Sequence, residues 1–562
     1  MSKNKINLPK DGIAGLKENF TTDALSGFLV FLLALPLSIG ICKASFGPEV
    51  SPIFGLVTAI VGGVLVSFFM GSRLSIKGPA AGLIVIVSGS VAAFGEGQQG
   101  WHLALGAIVV AGLIQVLFGV LKVGSFADFF PTAAIHGMLA AIGVIIMAKQ
   151  LHLLLGINPA ELKGKEPLEL LAMLPASVMH ENAHMAEIGI ACLLIMVIMG
   201  FVKNQRIKKI PAPLIVLAVS IPLGFALHIK TDGAIANFAL VKIGSIADAF
   251  KGGIINVDFS GITSHTSVFI EYVVLYSLIG SIESLLTAKA VDGMDPYKRK
   301  SDFNKDLWAV GLGNTLCGII GGLPMISEVA RSSANVSYGA KTRWANFFHG
   351  LFMLIAILIA VPVIEMIPNV ALAAMLVFVG FRLAHPKQFM HMWHVGIDQF
   401  IIFVATLIIT LATDLLIGVG SGILLEMIIN VTVHGTRIGN LFKSKADISE
   451  NGNQVQMDVK GDAVFSNYLG LKKKVYGLPA GKHVHINLSN CGVIDHTTLH
   501  SLNDFKNDYQ AAGGEVIIGG YEHHRQNGHD ATSTRTWKKG GKHPSPDLHK
   551  ENHKERKKEK VE

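Results

Sequence analysis

Glu283 and Thr287 stand four residues apart in an otherwise apolar run, Ile282-Glu283-Ser284-Leu285-Leu286-Thr287, followed by Asp292. On a helix that spacing puts a carboxylate and a hydroxyl on one face. A carboxylate in a membrane helix costs several kcal/mol unless it is paired, protonated or lining water. Glu283 could therefore carry a proton, or with Thr287 and backbone carbonyls hold Na⁺. The competing reading is a hydrogen-bonded carboxyl that braces helix packing. A second constellation is Gly322-Leu-Pro-Met-Ile-Ser-Glu-Val-Ala-Arg-Ser-Ser333, in which Ser327, Glu328 and Arg331 open an apolar stretch too short to span a bilayer. Exposed N–H groups and the positive end of a helix dipole favour an anion there, and Arg331 adds a fork of donors suited to an oxyanion. The alternative is an interfacial Arg331 paired with Glu328. A third, Ser75-Ile-Lys-Gly-Pro-Ala-Ala-Gly82, offers another helix start lined by small side chains. Two broken helices at matching places in two halves are a sequence pointer to a transporter's binding site, and two such N-termini facing each other would make an anion cradle.

The elements that position these residues are membrane helices. With 562 residues, 51% of them hydrophobic, 16% charged and a mean hydropathy of +0.49, the chain is too apolar for an ordinary soluble protein. Runs of roughly 17 to 25 apolar residues recur, each long enough to cross a bilayer. Apolar runs and breakers together predict about fourteen segments: 24–42, 53–70, 79–94, 102–121, 131–151, 186–202, 211–227, 267–290, 307–322, 327–338, 345–361, 370–383, 399–412 and 415–433. The broken third and tenth segments lie seven apart, which fits a seven-plus-seven inverted repeat over residues 23–228 and 265–436. Lys and Arg gather in alternate loops, Arg73 with Lys77, Lys203 to Lys209, Lys289 to Lys305, Lys341 with Arg343, and Arg382 with Lys387. That pattern places both termini, including a segment over 1–22, on the cytoplasmic side.

The same topology accounts for the net charge of +8 without a nucleic-acid partner. Cys42, Cys192, Cys317 and Cys491 lack metal-type spacing, so neither a disulfide framework nor a metal site is expected. No nucleophile, base and oxyanion arrangement appears, so the chain is not read as an enzyme, and no cofactor beyond a coupling ion is expected. Beyond Arg437 the pattern changes. Residues 450–522 alternate in short strand-like runs, 455–459, 484–488 and 515–518, with an amphipathic helix over 499–511, and predict a small soluble α/β domain. Residues 523–562, rich in Lys, His, Gly and Pro, read as a disordered tail.

At these residues the chain resembles the SulP-type inorganic anion transporters, the sulfate permease and bicarbonate carrier group. The matching pieces are Ala34-Leu-Pro-Leu-Ser-Ile-Gly40, Gly78-Pro79, Glu283-Ser-Leu-Leu-Thr287 with Asp292, and Arg331-Ser-Ser-Ala-Asn-Val-Ser-Tyr-Gly-Ala-Lys-Thr342. The soluble segment looks like that family's C-terminal STAS domain, with His485-Ile-Asn-Leu-Ser-Asn-Cys-Gly-Val-Ile-Asp495 as its strand and loop region. The resemblance implies a polytopic all-α fold of core and gate domains with an elevator-like shift, in a homodimer in the cell membrane. It implies a substrate near Leu37, Ile41, Ala80, Ala81, Ala330, Arg331 and Ser332, with the coupling ion at Glu283 and Thr287 and with Ser327 and Glu328 as accessories. Glu at position 283 resembles the proton-coupled members more than the Na⁺-coupled ones. Two departures stand out. Ala330 occupies a place where many members have a polar residue, and the loop that reads Asp-Ser-Ser-Gly in phosphorylatable STAS domains is here Asp495-His-Thr-Thr498. The expectation is a secondary active transporter of sulfate or bicarbonate, coupled to H⁺ or else Na⁺. The alternatives are a nucleobase/proton symporter of similar fold and a non-cycling anion-sensing membrane protein.

Overall fold

The computed structural model describes residues 8–537 except 48, 96, 125–129, 163–164, 203, 205–206, 208–209, 232–234, 245, 251–253, 298, 414 and 512. It divides into two compact units, Met1–Ala127 with Ile142–Ala384, and Asp128–Ala141 with His385–Glu562.

The first unit is built on long apolar helices. α1 (Gly12–Phe46) buries nearly every residue from Ala34 to Phe46 and keeps Pro36 inside the helix. α2 (Ile53–Ile60) continues into a π turn at Val61–Leu65. β1 (Lys77–Pro79) and a 3₁₀ turn at Ala81–Leu83 lead into α3 (Ile84–Ala93). Then come α4 (Gly97–Val120), α5 (Thr132–Leu154), α6 (Pro167–Met179), α7 (Ala183–Phe201), α8 (Ala212–Ala226), α9 (Thr266–Met294) and α10 (Phe303–Ile320). β2 (Met325–Ser327) enters α11 (Val329–Ser337), followed by α12 (Trp344–Ile359) and α13 (Asn369–Leu383). Among the described residues, α1, α4, α5, α7, α9 and the run Asn369–Val395 are long and apolar enough to cross a membrane, with seven shorter apolar helices beside them. α3 and α11 rise only about 15 Å and 13 Å, half of a bilayer core about 30 Å thick.

The expected segments recur as helices, joined by two more, α6 and α14 (Pro386–Val395). β1 and β2 are short strands where the sequence reading has plain helix entries. They pair antiparallel, Lys77 opposite Ser327, Gly78 opposite Ile326 and Pro79 opposite Met325. Backbone outside helices survives at membrane depth only where its polar groups are met, and side chains complete this miniature sheet. Asn314 brackets Met325, accepting its N–H at 2.6 Å and donating to its carbonyl at 3.1 Å. Asn346 accepts the Lys77 N–H (3.1 Å), Ser284 that of Ser327 (3.1 Å), Ser332 that of Ile76 (2.9 Å) and Thr58 that of Leu323 (2.7 Å).

The second unit holds the start of α5, then α14, α15 (Ile397–Ala412) and α16 (Leu415–Thr432). Gly137 lets α5 approach α15, where an added methyl would meet the Phe403 carbonyl at 2.5 Å. The soluble part follows as β3 (Lys445–Asn451), β4 (Gln454–Ala463), α17 (Phe465–Val475), β5 (His483–Ile494), α18 (His496–Ala511) and β6 (Glu515–Gly519). β4 and β6 run parallel to β5, and β3 is antiparallel to β4. Met457, Ile486, Leu488, Leu502 and Phe505 form the core between sheet and helices. This small α/β fold starts at β3, before residue 450, and runs past residue 522. β7 (His524–Gln526) and β8 (Arg535–Trp537) pair with each other, and β8 pairs with the end of β5. The first residues of the expected tail are thus strand, while 538–562 lie outside the described residues.

Candidate functional site

The β1–β2 pair brings the starts of α3 and α11 side by side, which is how residues about 250 positions apart come to share one site. Glu328 caps α11, its Oε2 accepting the Arg331 N–H at 2.8 Å. Among the described residues the carboxylate makes no hydrogen bond to the Arg331 guanidinium. Arg331 is 0% exposed, and Nε, Nη1 and Nη2 have no hydrogen-bond partner among the described residues. The interfacial anchor reading of Arg331 is therefore not what the fold shows. Its Nη1 lies over Gly78, where an added methyl would come within 2.4 Å.

Glu283 approaches from α9. It too is buried, with no partner for Oε2 among the described residues. Its carboxylate packs on Gly82 at the entry to α3, where a methyl would sit 2.0 Å from Oε1 and 2.6 Å from Cδ. Gly78 and Gly82 thus each seat one ionisable side chain on the same short stretch. Thr287, one turn on from Glu283, is buried as well. A buried guanidinium without an acceptor and a carboxylate without a donor are each costly unless a ligand, a proton or an ion completes them.

The remaining candidates sort by what they touch. Leu37, Ile41, Ala80 and Ala81 are buried on α1 and at the α3 entry, and Ala330 is half-buried at the start of α11. Of these, Ala80, Ala81 and Ala330 cover the backbone at the starts of α3 and α11 with no more than a methyl group each. Ser332 spends its hydroxyl on backbone, accepting from Ile76 and donating to the Glu328 carbonyl at 2.6 Å. Ser327 joins a different cluster, with Ser284 at 3.1 Å, Asp306 Oδ2 at 3.2 Å and the Lys77 ammonium.

That cluster corrects one expectation. Lys77, read from sequence as a cytoplasmic loop charge, is 0% exposed and paired with Asp306 at 2.6 Å. Asp306 also accepts the N–H groups of Gly71 and Ser72, both at 3.1 Å, so one carboxylate pins the whole approach to β1. Sequence reasoning missed Asp306, the seats at Gly78 and Gly82, and the anchor residues Asn314 and Asn346. The Gly-Pro-Ala-Ala-Gly spacing was the available signal for the glycines. The asparagines inside apolar helices were the signal for a buried backbone in need of partners.

Half-helices meeting over a buried strand pair, with an arginine and a carboxylate unpartnered among the described residues at the junction, define a polytopic helical membrane protein. The family model described as the sulfate permease family matches residues 20–406, and the chain belongs to that family. YvdB of Bacillus subtilis is 28% identical over 440 residues, 75% of this chain and 76% of YvdB. The bicarbonate transporter BicA of Synechocystis is 25% identical over 434 residues, 77% of this chain and 73% of BicA. Among solved structures, the transmembrane domain of a cyanobacterial bicarbonate transporter BicA superposes with a TM-score of 0.61 at 23% identity, covering 72% of this chain and 98% of that domain. SLC26A9 superposes with a TM-score of 0.63 at 14% identity over 90% of this chain and 85% of its own. These likenesses establish the shared fold.

Proposed function

We infer that this protein, an anion transporter by its family, is a secondary active carrier of a small inorganic oxyanion, sulfate or hydrogencarbonate, across the cell membrane. The observation that carries the reading is the buried Arg331 guanidinium, unpartnered among the described residues, at the joint start of α3 and α11. A full positive charge and two sets of helix N–H groups suit an oxyanion there, and a neutral nucleobase would not complete that charge. Glu283 is the coupling group, with Thr287 one turn on, and H⁺ is preferred to Na⁺ because glutamate at position 283 resembles the proton-coupled members of the family. Coupling follows from energetics, since importing one negative charge against 100 mV, inside negative, costs about 2.3 kcal/mol. The α3 and α11 ends would move together as one body in an elevator-like shift, in a homodimer with both termini cytoplasmic.

The test is initial uptake of radiolabelled sulfate and hydrogencarbonate into proteoliposomes under imposed H⁺ or Na⁺ gradients. An inward H⁺ gradient is expected to accelerate uptake in wild type and to have no effect in Glu283→Gln. Uptake that ignores both gradients, or a Glu283→Gln variant that keeps its gradient response, would discard the coupling assignment.

A further inference from the structure

His349 on α12 is fully buried, and neither Nδ1 nor Nε2 has a hydrogen-bond partner among the described residues. Each bond left unmade by a buried polar atom costs about 1–3 kcal/mol, so an imidazole with both nitrogens idle points to a partner the chain does not supply. Its backbone is closely held. Three residues earlier, Asn346 accepts from Lys77 and donates to the Gly62 carbonyl at 2.9 Å and to Ser67 at 2.8 Å. One residue later, Gly350 lies against Gly63, where an added methyl would be 2.4 Å from the Gly350 Cα. On α1, a methyl at Gly27 would come 2.9 Å from the His349 nitrogen of the main chain. Lys77, whose N–H bonds Asn346, is followed on β1 by Gly78, the seat of Arg331 Nη1, so one short strand joins α12 to the Arg331 guanidinium. The two nitrogen-bearing groups are thus held on elements that meet at β1, each without a hydrogen-bond partner among the described residues.

We propose that His349 is a second ligand of the oxyanion held by Arg331, and that it selects an oxyanion carrying one O–H, of the hydrogencarbonate type, over oxyanions that carry none. The proposal rests on the anion reading of the Arg331 site. Arg331 and the helix ends offer only donors, which serve nitrate, sulfate and hydrogencarbonate alike. A neutral imidazole offers one N–H and one lone pair. The N–H adds a bond to any oxyanion, whereas the lone pair is satisfied only by a ligand that brings its own proton. Sites built to bond a substrate hydroxyl discriminate strongly against analogues without one, because the site's polar atom is then left unpaired.

The experiment measures competition by nitrate, sulfate and hydrogencarbonate for uptake of labelled hydrogencarbonate by the full chain in liposomes. In wild type, hydrogencarbonate is expected to compete at a concentration at least about 10-fold below nitrate. His349→Phe removes both nitrogens and is expected to bring the two within about 3-fold, whereas His349→Gln, which keeps a donor and an acceptor, preserves most of the preference. Should His349→Phe fail to yield a monodisperse protein, His349→Leu takes its place with the same expectation. An unchanged hydrogencarbonate-to-nitrate ratio in these variants, with uptake lost in Arg331→Gln, overturns the His349 assignment and leaves the anion site standing. Hydrogencarbonate uptake that is the same in wild type and in Arg331→Gln overturns both.

Discussion

Substituting Gly82 by alanine would strike the site through a single methyl group. The new Cβ would lie 2.0 Å from Glu283 Oε1, whereas ordinary contact begins at 3.4 Å. The carboxylate must therefore retreat by about 1.4 Å. α9 cannot back away as a body without breaking the Ser284 hydroxyl's bonds to the Ser327 N–H and hydroxyl, both at 3.1 Å. The motion falls on the Glu283 side chain, away from the α3 entry. Overpacking of this kind costs about 1–3 kcal/mol of stability, and a displacement near 1 Å at a functional group costs about 100-fold in rate. The assay is gradient-driven anion uptake in proteoliposomes, normalised to folded protein by size-exclusion profile. Gly82→Ala is expected to lose about 100-fold of the H⁺-stimulated rate. Adding Glu283→Asp, which shortens the side chain by one methylene, is expected to restore stability and part of the gradient response. Wild-type rate and gradient response in Gly82→Ala alone would refute the claim that Glu283 acts from its seat on Gly82.

Three further outcomes are expected. Lys77→Met leaves Asp306 buried and unpaired, so thermal unfolding in detergent should report a loss of about 3–5 kcal/mol, of which adding Asp306→Asn returns a part; a shift near zero would show that the pair is not buried. Asn314→Leu strips the Met325 N–H and carbonyl of their partners and should cost about 2–3 kcal/mol, together with a loss of uptake, since β2 then no longer holds the start of α11. In the soluble domain, burial pushes the Asp495 carboxyl up to about 6, against the bonds from the Thr498 and Phe465 N–H groups that act the other way. The folded state then holds a proton the unfolded chain releases, so this contribution is complete below the ordinary Asp value of 3.8 and is lost as pH rises through about 6. Amide exchange at Phe465 and Thr498, corrected for intrinsic rate, should quicken across that window in wild type and show a flatter pH dependence in Asp495→Asn.

Much of the fold was legible because lipid imposes length and polarity on every span, and the shortness of the stretches after Pro79 and Ser327 already marked them as broken helices. The strand pair was not legible, since three residues such as Lys77-Gly-Pro carry no period-two pattern. Its partners Asn314, Asn346 and Ser284 are set by tertiary packing. Lys77 was misjudged for a related reason. A lysine next to a Gly-Pro turn reads as a loop charge until its partner Asp306, 229 residues away, is seen beside it. Of the site itself, Arg331, Glu283 and Thr287 were visible as polar residues where apolar ones belong. The glycine seats and His349 needed coordinates, because a glycine's value lies in what approaches it and a lone histidine in a helix has many ordinary explanations. β7 and β8 hid in a composition of His, Arg and Gly that resembles a solvated tail.

Direct contact between Arg331 and the anion is the central requirement of this site. Titration calorimetry of the purified full chain with sulfate and with hydrogencarbonate, in wild type and Arg331→Gln, measures that contact. Loss of a charge-assisted pair of hydrogen bonds is expected to weaken binding of the preferred anion by about 3 kcal/mol, roughly 100-fold. Equal affinity in the two proteins would contradict the assignment.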